Sequence, residues 1–323
     1  MILDEVLQRA IKRPRSIAFP DAEDVRTLDA ARVLADEAIC TPVLVGSMAS
    51  IVRLADEEGR NLDGIRVIDP VVAHDNHRCA EHLLERRGTK GLTPDQAKSL
   101  ASQPLYYAGW LVHAGHVDAA VAGSISTTGD VVRAGLWTVG LADGCSTVSS
   151  YFLMALKDRT LVYTDAGVVP EPTIDQLVDI ASAACDNYRA IINDQPRCAF
   201  LSFSTKGSAS HPAAERMRTA AEHFAARRPD VPSDGELQAD AAIVPAVAER
   251  KAPSSPLQGT ANVLVFPDLN SGNIAYKITE RLAGATAVGP IIQGLAKPYC
   301  DLSRGCSVKD IVLASAIASA MAR

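Results

Sequence analysis

Short β-forming runs alternate with longer helical patterns in the first part of the chain, and no other pattern limits the fold as strongly. The apolar runs have the length and residue types of buried strands, and they lie at 16–20, 41–46, 66–70 and 117–123. Helical periodicity lies between them, at 26–39, 48–58, 74–87 and 93–114. This alternation predicts a mostly parallel sheet flanked by helices.

The middle of the chain begins with a different pattern. Two apolar runs flank the turn residues Lys157 and Asp158, which predicts an antiparallel hairpin. Helices at 173–193 and 211–228 and strands at 198–204 and 262–267 then restore the alternation. Since 323 residues favour two domains over one, we expect two α/β units. The predicted boundaries are 1–144 plus 290–323 for domain I and 145–289 for an inserted domain II.

The segment "GPIIQGLAKPYCDLSRGCSVKD", from 289 to 310, combines an apolar run, a Gly/Pro loop and the start of the last helix. Ser307 followed by Asp310 is a capping-box pattern, so the helix should begin there. A hydroxyl from Ser303, a guanidinium from Arg304 and helix-start amides would converge on an anion such as phosphate. Alternatively, Asp310 only caps, Arg304 pairs with a surface carboxylate, and Ser303 closes a turn.

A second candidate anion site is "AVAGSISTTGDVVRAGL". The strand ends at Gly123, and Ser126, Thr127 and Thr128 follow in a short loop before a helix that carries Arg133. Phosphate would accept hydrogen bonds there and would interact favourably with the helix dipole. The alternative is a Ser/Thr-rich helix cap with a solvated arginine. The sequence is neither GxGxxG nor GxxxxGK[ST], so it indicates neither a dinucleotide site nor a P-loop.

Six motifs, in order and over almost the whole chain, resemble the phosphotransacetylases and their phosphate butyryltransferase relatives. They are "TKGLT", "GSISTTGDVVRAGL", "LSFSTKGSA", "DGELQADAAI", "FPDLNSGNIAYKITERLAGATAVGPIIQGLAKP" and "DLSRGCSVKDIV". The resemblance implies two α/β/α domains with a cleft between them, as in isocitrate and isopropylmalate dehydrogenases. It also implies reversible acyl transfer from acetyl phosphate to CoA.

The resemblance further implies a role for each matching residue. Asp310 would take the thiol proton, Ser303 would orient the sulfur, and Arg304 would stabilise the developing charge. Arginines at 26, 87, 133 and 304 would contact CoA or the acyl phosphate. No tightly bound cofactor is implied; CoA is a co-substrate, and a homodimer is expected.

Other polar positions allow two interpretations. Tyr276, with its neighbours in "DLNSGNIAYK", could contact a ligand or belong to an ordinary strand-to-helix turn. Asp234, Glu236 and Asp240 could bind a divalent metal or be helix-start charges, and we favour the latter. The predicted site therefore contains no metal.

Composition limits the partners and the compartment. A net charge of −6 and a pI near 5.7 argue against nucleic acid or an anionic membrane as the main partner. Seven scattered cysteines without CxxC spacing indicate free thiols in a reducing compartment. There is no 18-residue apolar run, and the amphipathic N-terminus carries acidic residues, so we expect a cytoplasmic protein.

Three alternatives remain from the sequence. Ser126, Ala134 and "KPYC" depart from residues common in the family, which leaves acetyl, propionyl or butyryl preference open. A non-catalytic acyl-CoA sensor would be expected to lack the Ser303, Arg304 and Asp310 set. A metal-dependent dehydrogenase of similar architecture would need Asp234 and Asp240 as metal ligands.

Overall fold

A computed structural model describes residues 2–322 of the polypeptide. Its residues group into two units. The first unit contains residues 3–143 and 295–322, and the second contains residues 144–294. The chain thus leaves the first unit once and returns to it for its last segment.

The sheet of the first unit has five parallel strands. They are β1 (Arg15–Phe19), β2 (Cys40–Val45), β3 (Arg66–Ile68), β4 (Ala119–Val121) and β11 (Tyr299–Cys300), in the order β11-β4-β1-β2-β3. Successive residues of a strand point to opposite faces, and both Ile17 and Ala18 of β1 are fully buried. Both faces of this sheet are therefore covered, as is usual for parallel sheets.

Eight α-helices belong to this part of the chain. They are α1 (Ile2–Lys12), α2 (Val25–Asp36), α3 (Met48–Glu57), α4 (Asn76–Arg87), α5 (Pro94–Ala101), α6 (Pro104–Ala114), α7 (Thr128–Thr138) and α13 (Val308–Met321). The prediction of one long helix over 93–114 was wrong, because α5 ends at Ala101 and α6 begins at Pro104. Proline lacks an N–H and disfavours helical geometry in the residue before it, so it starts a new helix more readily than it continues one.

The sheet of the second unit is mixed. Its strands are β5 (Ser149–Ala155), β6 (Thr160–Thr164), β7 (Cys198–Leu201), β8 (Ser233–Leu237), β9 (Val263–Val265) and β10 (Thr286–Gln293), in the order β10-β5-β6-β9-β7-β8. The predicted hairpin is confirmed as β5 and β6, and β5 is antiparallel to both of its neighbours. The remaining pairs are parallel, which confirms the predicted fold class of two α/β units with mostly parallel sheets.

Five helices accompany this sheet, and they are α8 (Ile174–Ile192), α9 (Pro212–Arg227), α10 (Ala239–Ile243), α11 (Pro245–Lys251) and α12 (Leu269–Ala283). Within residues 2–322, no helix is both long and apolar enough to cross a lipid bilayer.

Three neighbouring strands of the first sheet, β11, β4 and β1, end at the same edge. The segments that follow them carry Asp301, Gly123 and Asp21 respectively. Because ligands bind preferentially beyond the carboxyl ends of parallel strands, this edge is where the first unit would bind one.

Candidate functional site

The segment after β11 presents Ser303 and Arg304 to solvent. The Ser303 hydroxyl accepts a hydrogen bond from the backbone N–H of Gly305 at 3.3 Å, so the predicted turn is present. The Arg304 guanidinium forms no ion pair or side-chain hydrogen bond with any residue from 2 to 322. The alternative in which Arg304 pairs with a surface carboxylate is therefore not what the structure contains.

Asp310 is half-buried in the first turn of α13 and forms the predicted capping box. Its Oδ2 accepts hydrogen bonds from the backbone N–H and the hydroxyl of Ser307, each at 2.8 Å. The Ser307 hydroxyl in turn accepts from the Asp310 N–H at 3.3 Å. One carboxylate oxygen is thus committed to the helix start, and Oδ1 has no partner in the described part of the chain.

The loop after β4 folds around a carboxylate of the protein itself. Asp21 Oδ2 accepts from the backbone N–H groups of Gly123 at 2.6 Å, Ile125 at 3.3 Å and Ser126 at 3.3 Å. Asp21 Oδ1 accepts from the Ser126 hydroxyl at 2.5 Å. The amides that the sequence suggested for phosphate are therefore directed at Asp21, and the single hydroxyl proton of Ser126 is used.

Thr127 and Arg133 share a second acidic partner. Thr127 is the N-cap of α7, and its hydroxyl donates to Asp130 Oδ2 at 2.7 Å. Arg133 Nη1 donates to Asp130 Oδ1 at 2.9 Å, and its side chain is 53% exposed. An exposed pair of this kind contributes little stability, so the guanidinium can exchange this partner for a ligand at small cost.

Arg26 uses all five of its N–H groups inside the first unit. Nε donates to both carboxylate oxygens of Asp24 at 3.1 Å, and Nη2 donates to Asp24 Oδ2 at 2.6 Å and to the Ser124 carbonyl at 2.9 Å. Nη1 donates to the carbonyls of Arg304 at 3.0 Å and Cys306 at 2.7 Å. Arg26 therefore joins the loop after β4 to the segment that carries Ser303 and Arg304.

Asp24 is the N-cap of α2 and keeps its charge despite being buried. Burial acts to raise its pKa, but hydrogen bonds from the Arg26 side chain and backbone and from Ser124 outweigh burial, so the pKa lies below its ordinary value. The Arg26–Asp24 pair is thus ionised in the folded protein.

Asp301 is a fully buried acid directly after β11. Neither carboxyl oxygen has a hydrogen-bond partner of normal geometry within residues 2–322. Burial raises the pKa of Asp301 to about 7, the Asp21 charge adds to this rise, and the Thr128 hydroxyl and Leu302 amide act in the opposite direction. A Cβ at Gly123 would lie 2.3 Å from Asp301 Oδ1, so only glycine fits between the two acids.

Arg87, at the end of α4, is held by a ring instead of a carboxylate. Its Cζ lies 4.5 Å from the centre of the Trp137 ring. The guanidinium makes no hydrogen bond or ion pair with the residues that the structure describes. Its donors, like those of Arg304, are therefore not used within residues 2–322.

Tyr276 lies in the second unit, on α12. Its ring stacks on Phe152 with centroids 3.7 Å apart, and the Lys277 ammonium lies 4.9 Å from the ring centre. The Tyr276 ring is therefore already in contact with two side chains of its own unit.

The three acids of "DGELQADAAI" do not converge. Glu236 is fully buried and accepts from the Ser204 hydroxyl at 2.9 Å, from the Gly207 N–H at 2.8 Å and from Arg218 Nε at 3.1 Å. Glu236 thus fixes the loop after β7.

The other two acids each have a lysine partner: Asp234 pairs with Lys206, and Asp240 Oδ2 pairs with Lys251 at 2.8 Å. Across residues 2–322, no three His, Cys, Asp or Glu side chains are grouped closely enough to hold a metal ion. Asp234 and Asp240 are therefore engaged by cations. The expected helix-start charge is confirmed for Asp240, in the first turn of α10, and was wrong for Asp234 and Glu236, which lie in β8.

The sequence matches the family described as "Phosphate acetyl/butaryl transferase" over residues 1–319. The chain belongs to this family. A "Phosphate acetyltransferase" of Treponema pallidum (strain Nichols) is 43% identical over 325 residues, which cover 98% of this chain and 97% of the relative. The resemblance inferred from the six motifs is thereby confirmed.

Solved structures extend this family relationship. A phosphotransacetylase from Streptococcus pyogenes aligns with a TM-score of 0.94 at 36% identity, over 99% of this chain and 98% of its own. A 4-hydroxythreonine-4-phosphate dehydrogenase from Burkholderia phymatum aligns with a TM-score of 0.56 at 15% identity, over 96% and 99% of the two chains. The second likeness is one of fold alone, and it agrees with the predicted dehydrogenase-like architecture.

Three acids at this edge of the first unit were not predicted as site residues from the sequence: Asp21, Asp24 and Asp301. Asp21 and Asp301 come just after β1 and β11, at the strand ends where ligand sites form. That position was the available signal, but β11 has only two residues and was not predicted as a strand.

Proposed function

We propose that this protein is a phosphate acetyltransferase, which transfers an acetyl group reversibly between CoA and phosphate. The observation that carries the proposal is the segment with Ser303, Arg304 and Asp310, in a chain that matches the family over residues 1–319. Within residues 2–322, the Arg304 guanidinium of this segment has no partner. In one direction, acetyl phosphate and CoA give acetyl-CoA and phosphate. CoA and acetyl phosphate are thus the proposed partners, with no tightly bound cofactor.

In the proposed reaction, the CoA sulfur attacks the carbonyl carbon of acetyl phosphate directly. A carbon–sulfur bond forms, the bond between that carbon and the phosphate oxygen breaks, and phosphate leaves with the electron pair. The thiol proton passes to the Asp310 carboxylate through its unpartnered Oδ1. No acyl-enzyme is formed.

Ser303 and Arg304 have complementary roles in this mechanism. The Ser303 hydroxyl accepts from Gly305, so its own proton is available to hydrogen-bond the sulfur. The Arg304 guanidinium stabilises charge on the carbonyl or phosphate oxygens as it develops.

The proton transfer needs help from the site. A free aspartate with a pKa of ~3.9 is a poor base for a thiol with a pKa of ~8.5, a mismatch of about 4.6 units or about 6 kcal/mol. A guanidinium beside the sulfur favours the thiolate and reduces this mismatch. Arg304, which has no competing partner in residues 2–322, is the group that we assign to this effect.

We propose Arg87, Arg133 and Thr128 as the substrate-binding side chains of the first unit. Ser126 and Thr127 can donate to a phosphate only after giving up their present bonds to Asp21 and Asp130, so they contribute chiefly by shaping the loop.

For Arg26 and Tyr276 the proposed roles differ. Arg26 stabilises the segment that carries Ser303 and Arg304 and does not bind the substrate, because all of its donors are used within the protein. Tyr276 would offer CoA its hydroxyl, because Phe152 and the Lys277 ammonium already contact its ring.

A homodimer in the cytoplasm is the proposed working form. Three aliphatic side chains lie four residues apart on α12 and are largely exposed: Ile274 by 57%, Ile278 by 51% and Leu282 by 83%. Two copies related by a twofold axis at Ile278 would cover the exposed side chains of both α12 helices, with each Ile274 against a Leu282 of the other copy.

All seven cysteines are unpaired thiols, which suits a reducing compartment.

Thiol consumption with acetyl phosphate and CoA, with and without EDTA, tests the activity directly. We expect turnover that EDTA does not reduce, whereas a metal-dependent dehydrogenase or a CoA sensor would give none. Running acetyl, propionyl and butyryl phosphates in parallel decides the acyl preference, because an extra methylene in an apolar pocket changes selectivity by only ~1–3 kcal/mol.

Asp310→Asn and Ser307→Ala separate the base from the helix cap. Both disturb the capping box, but only the first removes the carboxylate. We expect Asp310→Asn to lose ~10²–10⁴-fold in kcat, the usual contribution of a general base. Ser307→Ala should lose ~1 kcal/mol of stability and keep most of its turnover. Near-normal kcat in a folded Asp310→Asn protein would exclude the base assignment.

A further inference from the structure

An aromatic pair lies between two of the arginines of the first unit. Trp137, on α7, is in contact with the Arg87 guanidinium at 4.5 Å from its ring centre. The Tyr106 ring, on α6, lies 6.0 Å from the Trp137 ring at an angle of 60°. Arg133 is one turn before Trp137 on the same face of α7. Three helices thus bring two cations to one pair of rings.

The way in which Arg87 is held leaves its donors free. A guanidinium is planar, and its five N–H groups point outward in that plane. A cation–π contact with an indole consumes none of these donors, so they stay available for a bidentate contact to phosphate. Arg26, in contrast, is held by its edge and has no donor left.

The rings themselves are fixed. Tyr106 is only 6% exposed, and Trp137 is half-buried, so neither ring can turn away freely. An arginine without such support loses much rotamer freedom when it binds a ligand, and this loss weakens binding. Stacking on a fixed ring restricts the side chain before the ligand arrives.

We propose that Trp137 is a positioning residue for CoA: it holds the Arg87 guanidinium in place with its donor edge open to a phosphate group of that substrate. The assignment rests on the proposed function, which makes CoA a substrate. It adds a residue that has neither a charge nor a hydrogen bond to the phosphate. Tyr106 supports the indole from the side of α6.

Substitution of Trp137 tests this through affinity. Trp137→Leu removes the π face, and we expect CoA to bind about 3- to 30-fold more weakly in calorimetric titration. KM for CoA should rise by the same factor with little change in kcat, because the contact is made in the ground state and the transition state alike. Trp137→Phe, which keeps a weaker π face, should fall between wild type and Trp137→Leu.

A double-mutant cycle separates positioning from general packing. In an Arg87→Met background, Trp137→Leu should cause no further loss of CoA affinity, because there is no guanidinium left to position. Trp110→Leu is a matched control on α6, where the indole packs against Tyr107 and His116. It should lower stability without changing CoA affinity.

A fluorescence titration gives a readout that does not depend on activity. The chain has two tryptophans, so Trp110→Phe leaves Trp137 as the sole reporter. Its emission should change when CoA binds and engages the stacked guanidinium. The inference is wrong if Trp137→Leu binds CoA as tightly as wild type does, or if its effect is equally large without Arg87. If the wild-type protein itself neither binds CoA nor transfers acetyl groups, the proposed function has failed instead.

Discussion

Replacement of Arg26 by leucine should destabilise the first unit and slow the reaction without specifically weakening CoA binding. The substitution leaves the Asp24 carboxylate, whose side chain is 6% exposed, without its cation. It also leaves the carbonyls of Ser124, Arg304 and Cys306 without their donor. The bond from Asp24 to the backbone N–H of residue 26 survives, so α2 keeps its cap.

The magnitude follows from these four acceptors. Breaking a buried ion pair costs ~3–5 kcal/mol, and each buried acceptor left unpaired costs ~1–3 kcal/mol. The Arg26 side chain is 30% exposed, so water can reach part of the vacated space and replace some of these bonds. We therefore expect a loss of ~3 kcal/mol in the free energy of unfolding, below the sum of the separate terms.

Urea denaturation followed by tryptophan fluorescence measures this loss. Trp110 and Trp137 both lie in the first unit, so the signal reports that unit even if the two units unfold separately. Arg32→Leu is the matched control on the same helix. Its ion pair with Asp36 is more exposed and should be worth less than ~1 kcal/mol.

Steady-state kinetics provide the second measurement. Without the hydrogen bonds from Arg26, the segment that carries Ser303 and Arg304 is held less rigidly. We therefore expect kcat to fall by a larger factor than KM for CoA rises. A stable Arg26→Leu protein with unchanged kcat and a greatly raised KM for CoA would refute the reasoning, since that pattern belongs to a residue that contacts the substrate.

Two further variants test the buried acid and the exposed side chains of α12. The pKa of Asp301, raised to about 7 by burial, means that its protonation stabilises the folded state below pH ~4 and that this stability is lost as pH rises through 7. In urea titrations, the free energy of unfolding of Asp301→Asn should therefore rise relative to that of wild type by up to ~3 kcal/mol as the pH rises from 5 to 8. A difference between the two proteins that does not change with pH would contradict this prediction. Ile278→Asp should convert the proposed dimer to a monomer in light scattering, while an unchanged mass would place the interface elsewhere.

Most of the helices and strands could be predicted from periodicity, because their apolar spacing is a local property. The strand β8 could not. Its sequence "SDGEL" carries two acids that are tolerated in a buried strand only because Lys206 and Arg218 pair with them. These partners lie 28 and 18 residues away along the chain, so no local pattern could reveal them.

The amino-acid sequence alone predicts the two α/β patterns, the capping box at Asp310 and the short segment that carries Ser303 and Arg304, because each of these is a local property. It placed Arg133 and Arg304 in candidate anion-binding loops, and it assigned Arg26 and Arg87 to the site through the family resemblance alone. The fold decides which of these arginines still has free donors, because the carbonyls that bind Arg26 and the indole that contacts Arg87 come from distant parts of the chain. A guanidinium binds a ligand only with donors that the fold leaves unused, and which donors remain depends on neighbours that the sequence does not order.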